Sequence, residues 1–194
     1  MKDKLNFYIN GQWVESDSNE RIEIINPANE ELIGHVTSGT KEDINKAVLA
    51  ASDAFQTYQF SSKEDRIEIL KNIITEYENR YDDLVQVITE EMGAPTWLSQ
   101  KAQASTGIKN LYETLDALKD YEFEKKEGDY TLIREPIGVI GMITPWNWPM
   151  NQITTKASAA LAAGCSMVLK PSEISPYCAL LLAEIFDKAG VPAG

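Results

Sequence analysis

Asn147 carries a side-chain amide in a stretch of sequence that prolines make rigid. The stretch reads Ile143-Thr144-Pro145-Trp146-Asn147-Trp148-Pro149, and its prolines restrict the backbone. A rigidly held amide N–H₂ group can donate a hydrogen bond to an oxygen that becomes negative in a transition state. Asn147 could instead cap the helix predicted after Pro149, and the spacing alone leaves both interpretations open.

A second candidate site is Lys170-Pro171-Ser172-Glu173, which follows a short apolar stretch. A lysine and a glutamate three residues apart at a strand end can hydrogen-bond the hydroxyl groups of a ribose. The carboxylate of Glu173 would accept from both hydroxyls and would repel a 2′-phosphate. The alternative is a solvated ion pair between Lys170 and Glu173, which contributes little stability.

Three further residues are candidates for a catalytic role. Lys156 lies among small neighbours in a predicted helix, and its ammonium either extends to the surface or points back towards Asn147. Cys165 and Cys178 have apolar neighbours, so we expect reduced packing residues, with a reactive thiol as the alternative. With two cysteines and one histidine, no metal site is predicted.

The candidate residues follow two predicted strands that alternate with helices. Residues 137–143 form an apolar run typical of a buried parallel strand, and residues 167–169 form a second one. The first helix covers residues 149–163 before Gly164, and the second begins at Ser175-Pro176 and runs to Lys188. Ligands bind at the carboxyl ends of strands in an open parallel sheet, so both candidate stretches should share one edge.

The amino-terminal part of the chain predicts short strands. We expect them at residues 6–9, 21–25 and 32–36. The dipeptide Asn10-Gly11 predicts a tight hairpin turn after the first of them, because both residues tolerate positive φ angles.

Residues 40–119 are predicted to be helical, because apolar residues recur every three to four positions. The capping pairs Thr40–Asp43 and Ser61–Glu64 predict where two helices begin. Gly93 and Pro95 predict the end of that run, and a further helix is expected over residues 96–119.

Residues 121–135 predict a two-stranded excursion, because charged residues alternate with aromatic or aliphatic ones around Gly128-Asp129. Such an arm either remains exposed or pairs with the sheet edge of another subunit.

Composition excludes several classes of function. Hydrophobic residues make up 43% and charged residues 25% of the 194-residue chain, as in ordinary globular proteins. The formal net charge of −12, without a basic cluster, argues against binding to nucleic acid. Neither a signal peptide nor a membrane span is predicted, so a cytoplasmic protein is expected.

These segments together resemble the aldehyde dehydrogenase superfamily over nearly the whole chain. The more specific matches are Thr144-Pro145-Trp146-Asn147-Trp148-Pro149 and Leu169-Lys170-Pro171-Ser172-Glu173. Supporting similarity lies in Phe7-Tyr8-Ile9-Asn10-Gly11-Gln12-Trp13, Ile25-Asn26-Pro27-Ala28 and Arg134-Glu135-Pro136-Ile137-Gly138-Val139. Because the motifs occur in the family's order, the resemblance favours the catalytic and ribose-binding interpretations over the structural ones.

The resemblance implies a role for each candidate residue. Asn147 matches the family's oxyanion donor, and Lys156 matches a lysine with a supporting catalytic role. The backbone of Ile143, Thr144, Pro145 and Trp146 matches the stretch that lines the nicotinamide. Lys170 and Glu173 match contacts to the adenosine ribose, with Pro171 and Ser172 between them; Glu173 favours NAD, although NADP is possible.

The resemblance also implies an architecture. The fold class is α/β, with amino-terminal strands and helices leading into a partial doubly wound, Rossmann-like parallel sheet. The expected divisions are 1–119 for the amino-terminal segment of the cofactor domain, 120–135 for a β-hairpin oligomerisation arm, and 136–194 for the truncated dinucleotide-binding core. A homodimer or homotetramer is expected.

The implied activity is oxidation of an aldehyde to the carboxylic acid with NAD, through a cysteine thiohemiacetal and thioester. Neither Cys165 nor Cys178 lies in the context of the family's nucleophile, which is expected beyond Gly194. The 194-residue chain alone is therefore expected to be inactive. The alternative is a short non-catalytic module for nucleotide binding or assembly.

Overall fold

Two small antiparallel sheets open the chain. The computed structural model describes residues 3–194. The first four strands are β1 (Asn6–Ile9), β2 (Gln12–Glu15), β3 (Arg21–Asn26) and β4 (Glu31–Thr37). Strand β1 pairs with β2, and β3 pairs with β4. The predicted turn after β1 is confirmed, because Asn10 and Gly11 have φ angles of 53° and 71°.

A helical layer follows the strands. Its members are α1 (Lys41–Tyr58), α2 (Lys63–Asn79), α3 (Tyr81–Met92), α4 (Thr96–Leu98) and α5 (Ser105–Asp120). The capping box of Thr40 and Asp43 is confirmed at the start of α1. Helix α3 ends at Gly93, whose φ angle of 67° gives the left-handed turn that glycine favours.

Three sequence predictions in this layer were wrong. The single helical run expected from Ser61 to Gly93 is divided at Arg80 into α2 and α3. The capping pair of α2 is Ser62 with Asp65, one residue later than predicted. Ser61 instead donates its hydroxyl to the carbonyl of Tyr58, at the end of α1. The helix predicted over residues 96–119 is interrupted, because Ser99–Ala104 form a π-helical segment between α4 and α5.

A hairpin projects after α5, as the sequence predicted. Strands β5 (Glu124–Glu127) and β6 (Tyr130–Ile133) pair antiparallel around Gly128, and every residue of β6 is exposed. At the base of the hairpin, the Arg66 guanidinium lies 5.3 Å from the ring centroid of Phe123.

The carboxyl-terminal part is a β-α-β-α unit, which gives the molecule an α/β fold. Its elements are β7 (Val139–Ile143), α6 (Pro149–Ala163), β8 (Ser166–Lys170) and α7 (Tyr177–Lys188). Strands β7 and β8 pair in parallel, and α6 ends at Gly164 as predicted. The predicted burial of the first strand was wrong, because Ile137 and Ile143 are 86% and 79% exposed. Among residues 3–194, β7 pairs with β8 alone, so only part of the strand is covered.

One large apolar core joins the helices to the parallel pair. Its most deeply buried members include Leu70, Leu84, Leu111, Met150 and Ile185. Within residues 3–194, no helix is both long enough and apolar enough to cross a membrane.

Candidate functional site

The two candidate stretches lie at the same edge of the parallel pair, as predicted. Ile143 is the register partner of Lys170, and the amide of Thr144 donates to the carbonyl of Lys170 at 3.3 Å. We call residues 144–148 the Asn147 loop and residues 170–173 the Glu173 turn. Because parallel strands place both carboxyl ends together, residues far apart in sequence form one surface.

The Asn147 loop is held through its backbone and exposes its side chains. Pro145, Trp146 and Asn147 are exposed, whereas Thr144 is buried. The hydroxyl of Ser175 donates to the carbonyl of Trp146 at 3.4 Å. No side chain described in the structure caps α6, so the capping interpretation of Asn147 is not realised. The amide of Asn147 thus stands at the sheet edge on a braced loop.

Lys156 lies one helical turn beyond Gln152 on α6. Its ammonium donates to the backbone carbonyl of Gln152 at 3.0 Å and to the side-chain Oε1 of Gln152 at 3.1 Å. The amide of Gln152 donates in turn to the carbonyl of Trp148. The Lys156 side chain is exposed, and its ammonium bonds Gln152 rather than Asn147.

The Glu173 turn carries an ion pair at a strand end. Lys170 donates to Glu173 at 2.7 Å, and about half of each side chain is exposed. The hydrogen bond from Lys170 lowers the pKa of Glu173, so its carboxylate is ionised at neutral pH. The Ser172 hydroxyl accepts from the amide of Ile174 at 3.2 Å, which shapes the turn. A paired carboxylate of this kind can accept hydrogen bonds from a diol.

A cavity of about 870 Å³ borders the Glu173 turn. Lys170, Pro171, Ser172 and Glu173 lie on its lining, whereas Thr144 to Asn147 do not. Its other walls are mostly apolar and include Phe7, Ala157, Leu161, Leu169, Leu182 and Phe186. Apolar walls with a carboxylate at the end of a strand can hold a flat aromatic ring beside a group that carries hydroxyls.

Glu91 is an important residue that the sequence prediction missed. Its carboxylate is fully buried and accepts from the amides of Tyr177 at 2.6 Å and Cys178 at 3.0 Å. It therefore caps α7, and the predicted cap by Ser175 was wrong, since the Ser175 hydroxyl turns to Trp146. No local sequence signal could indicate this cap, because 86 residues separate Glu91 from Tyr177.

The two cysteines are packing residues, as predicted. Cys165 and Cys178 are both free and buried. Burial raises the pKa of the Cys178 thiol well above its usual range, which disfavours the nucleophilic thiolate. Among residues 3–194, no three histidine, cysteine, aspartate or glutamate side chains are grouped so that they could hold a metal ion.

The structure is an α/β fold with polar side chains gathered at one edge of its parallel sheet, and comparison with known proteins identifies its family. The profile of the aldehyde dehydrogenase family matches residues 13–194. A Staphylococcus aureus protein (strain USA300) assigned to the aldehyde dehydrogenases is 53% identical over all 194 residues. The chain belongs to the aldehyde dehydrogenase family.

Solved structures agree with this assignment. An aldehyde dehydrogenase from Bartonella henselae superposes with a TM-score of 0.97 at 42% identity, covering 100% of this chain and 41% of that one. Aldehyde dehydrogenase C of Pseudomonas syringae, a cysteine-to-alanine variant in complex with NAD⁺ and octanal, gives 0.96 at 42% identity. That match covers 97% of this chain and 39% of the other. The chain likewise spans 41% of the length of the Staphylococcus relative.

Proposed function

We propose that the protein takes part in oxidising an aldehyde to the carboxylic acid with NAD. The observation that carries this proposal is the juxtaposition of the Asn147 loop and the Glu173 turn at one sheet edge. Family membership and the NAD⁺ and octanal bound by the Pseudomonas relative support it. NAD, when bound, would supply the acceptor for the hydride that leaves the aldehyde.

Two groups of residues in this chain would bind the two ends of the cofactor. Lys170 and Glu173 would hold the adenosine ribose, with Pro171 and Ser172 shaping the turn. The backbone from Ile143 to Trp146 would line the nicotinamide side. We propose that residues 136–194 form part of a Rossmann-like, doubly wound core and residues 1–119 the preceding segment of the same cofactor domain.

Asn147 would stabilise negative charge on the substrate oxygen. Its side-chain amide is exposed at the sheet edge, while the loop carbonyls on either side of its Cα are held by Ser175 and Gln103. A donor held in place before the reaction needs no reorganisation when charge develops. Lys156 would support this charge through the field of its ammonium.

We propose that neither cysteine of this chain is the nucleophile. Cys165 and Cys178 are both buried, and neither can reach a substrate at the sheet edge without unfolding the core. Residues 1–194 by themselves should therefore bind the cofactor's adenosine end but oxidise no aldehyde.

The proposal is tested by following NADH formation by the full-length protein with a panel of aliphatic and aromatic aldehydes. Asn147→Ala should lower kcat by about 10²–10³-fold, the usual effect of deleting an oxyanion donor. Asn45→Ala, an exposed asparagine on α1, is the matched control and should leave kcat unchanged. Equal activity of the Asn147→Ala variant and the wild type would exclude the proposed role of this amide.

Glu173 should determine the choice of cofactor. Glu173→Gln removes the charge that repels a 2′-phosphate and weakens acceptance from the ribose hydroxyls. We expect the preference for NAD over NADP, measured as a ratio of kcat/KM values, to fall about tenfold. Glu64→Gln, on the exposed side of α2, controls for the loss of one negative charge and should retain the preference.

A further inference from the structure

The helical turn between α4 and α5 is widened and is stabilised by hydroxyl groups. In the π-helical segment Ser99–Ala104, hydrogen bonds follow a longer spacing than in an α-helix. Four hydroxyls donate to its carbonyls at 2.5 to 2.9 Å: Tyr81 to Gln100, Ser105 to Lys101, Thr106 to Ala102, and Tyr77 to Ala104. Two of these donors lie on α2 and α3, so the surrounding fold maintains the widened turn.

Gln103 extends from this segment into the core. It is 2% exposed, and its Nε2 donates to the backbone carbonyl of Asn147 at 3.2 Å. Its Oε1 is buried and finds no hydrogen-bond partner among residues 3–194. A buried amide with an unused acceptor costs free energy, and an apolar side chain of similar size would avoid that cost. The hydrogen bond to the Asn147 carbonyl is therefore the interaction that explains a polar side chain at this buried position.

We propose that Gln103 is the positioning residue of the Asn147 loop, with the π-helical segment determining where its amide reaches. This inference rests on the proposed function, in which the Asn147 amide donates to an oxyanion. A hydrogen bond to the Asn147 carbonyl fixes the peptide plane next to its Cα and thus the direction of its side chain. Gln103 and Ser175 together hold two successive carbonyls of the loop.

The test combines kinetics with a double-mutant cycle in the full-length protein. Gln103→Met retains the side-chain volume and removes the donor. Because a displacement of about 1 Å in a catalytic group can cost about 10²-fold, we expect kcat to fall about 10–100-fold while KM for NAD is unchanged. In an Asn147→Ala background, Gln103→Met should cause no further loss, because its effect passes through Asn147.

Thr114→Val is the matched structural control. Its hydroxyl is bonded to Ser158 at 2.7 Å between α5 and α6, so the variant loses one interhelical hydrogen bond without touching the loop. It should lower the melting temperature and leave kcat unchanged. Equal kcat values for Gln103→Met and the wild type, or additive losses with Asn147→Ala, would overturn the inference.

Two further experiments distinguish the remaining outcomes. Gln103→Glu replaces the donor with an acceptor and should also lower kcat. If both Gln103 variants fail to fold while Thr114→Val folds, the role of Gln103 is in packing and the inference is wrong. If the wild type oxidises no aldehyde, the proposed function fails by itself. In that case a crystal structure of Gln103→Met tests whether Gln103 positions the Asn147 loop. A loop in the same position as in the wild type would contradict the inference.

Discussion

At the scale of single residues, a buried carboxylate links α3 to α7. Both oxygens of Glu91 accept backbone amides, from Tyr177 and Cys178, at the amino terminus of α7. The first amides of a helix lack partners within the helix, so the two oxygens of Glu91 satisfy donors that would otherwise be buried without an acceptor. Since Ser175 lies two residues before the start of α7, this cap also helps to place the hydroxyl that holds the Trp146 carbonyl.

Glu91 should make the stability of the protein depend on pH. Burial, aided by the charge of Glu90, raises the pKa of Glu91 from 4.5 to about 7, although the amides of Cys178 and Tyr177 act to lower it. Between pH 4.5 and about pH 7, Glu91 holds a proton in the folded state that it has lost in the unfolded state. The free energy of unfolding contributed by Glu91 should therefore rise by about 1–3 kcal/mol as the pH falls from 7 towards 4.5.

Urea denaturation of the wild type and Glu91→Gln between pH 5 and pH 8 tests this prediction. Glutamine can accept only one of the two amides, so the variant should be less stable throughout. The difference from the wild type should widen as the pH falls, because only the wild type gains stability through Glu91. Glu68→Gln, an exposed site on α2, controls for the lost charge; parallel curves for wild type and Glu91→Gln would contradict the prediction.

At the scale of elements, close contact between α5 and α6 positions the helix that follows the Asn147 loop. The amide nitrogen of Asn110 lies within 3.3 Å of oxygens on Asn151, Thr154 and Thr155. Gly107 permits this approach, because a Cβ there would lie 2.3 Å from the Tyr77 hydroxyl and 2.9 Å from the Cβ of Met150. The start of α6 is therefore sensitive to side-chain volume on α5.

Gly107→Ala should destabilise the protein, although alanine has the higher helix propensity. The added methyl group overlaps the Tyr77 hydroxyl, so either α6 shifts or the bond from Tyr77 to Ala104 breaks. We expect a loss of about 1–3 kcal/mol in the free energy of unfolding, as in other overpacked cores. Gly141→Ala, where a Cβ meets nothing within 4 Å, is the control, and thermal denaturation distinguishes the two.

At the scale of the whole molecule, the hairpin of β5 and β6 exposes apolar side chains. Tyr130 and Leu132 lie on one face of β6 and are 67% and 42% exposed. Its base is fixed by Arg66 against Phe123 and by Arg134 against Tyr121. We propose that residues 120–135 form an oligomerisation arm in a homodimer or homotetramer, where a second copy covers this face.

A charge on that face should disrupt the assembly. Leu132→Asp would place a carboxylate in an apolar contact, and we expect the sedimentation coefficient of the full-length protein to fall to that of a monomer. Thr131→Asp lies on the opposite face of β6 and should leave the assembly intact. An unchanged sedimentation coefficient for Leu132→Asp would exclude this face as the interface.

Sequence reasoning succeeded where a structure is decided by neighbours along the chain. The turn at Asn10-Gly11 and the helix ends at Gly93 and Gly164 were predictable, because positive φ angles have low cost only for a few residue types. The alternation of strands and helices after residue 136 also placed both candidate stretches at one sheet edge. The roles of Asn147 and Glu173, which spacing alone left open, remain predictions from the family resemblance.

The tertiary structure alone decided which distant groups meet. The π-helical segment, the Gln103 bond to Asn147 and the Glu91 cap of α7 each join residues more than 25 positions apart, or depend on donors from other helices. Local sequence carries no record of such contacts, because a buried polar group is satisfied by whichever partner the packing brings near. The sequence by itself thus determined most of the elements and which side chains lie at the candidate site, whereas packing determined how rigidly those side chains are held.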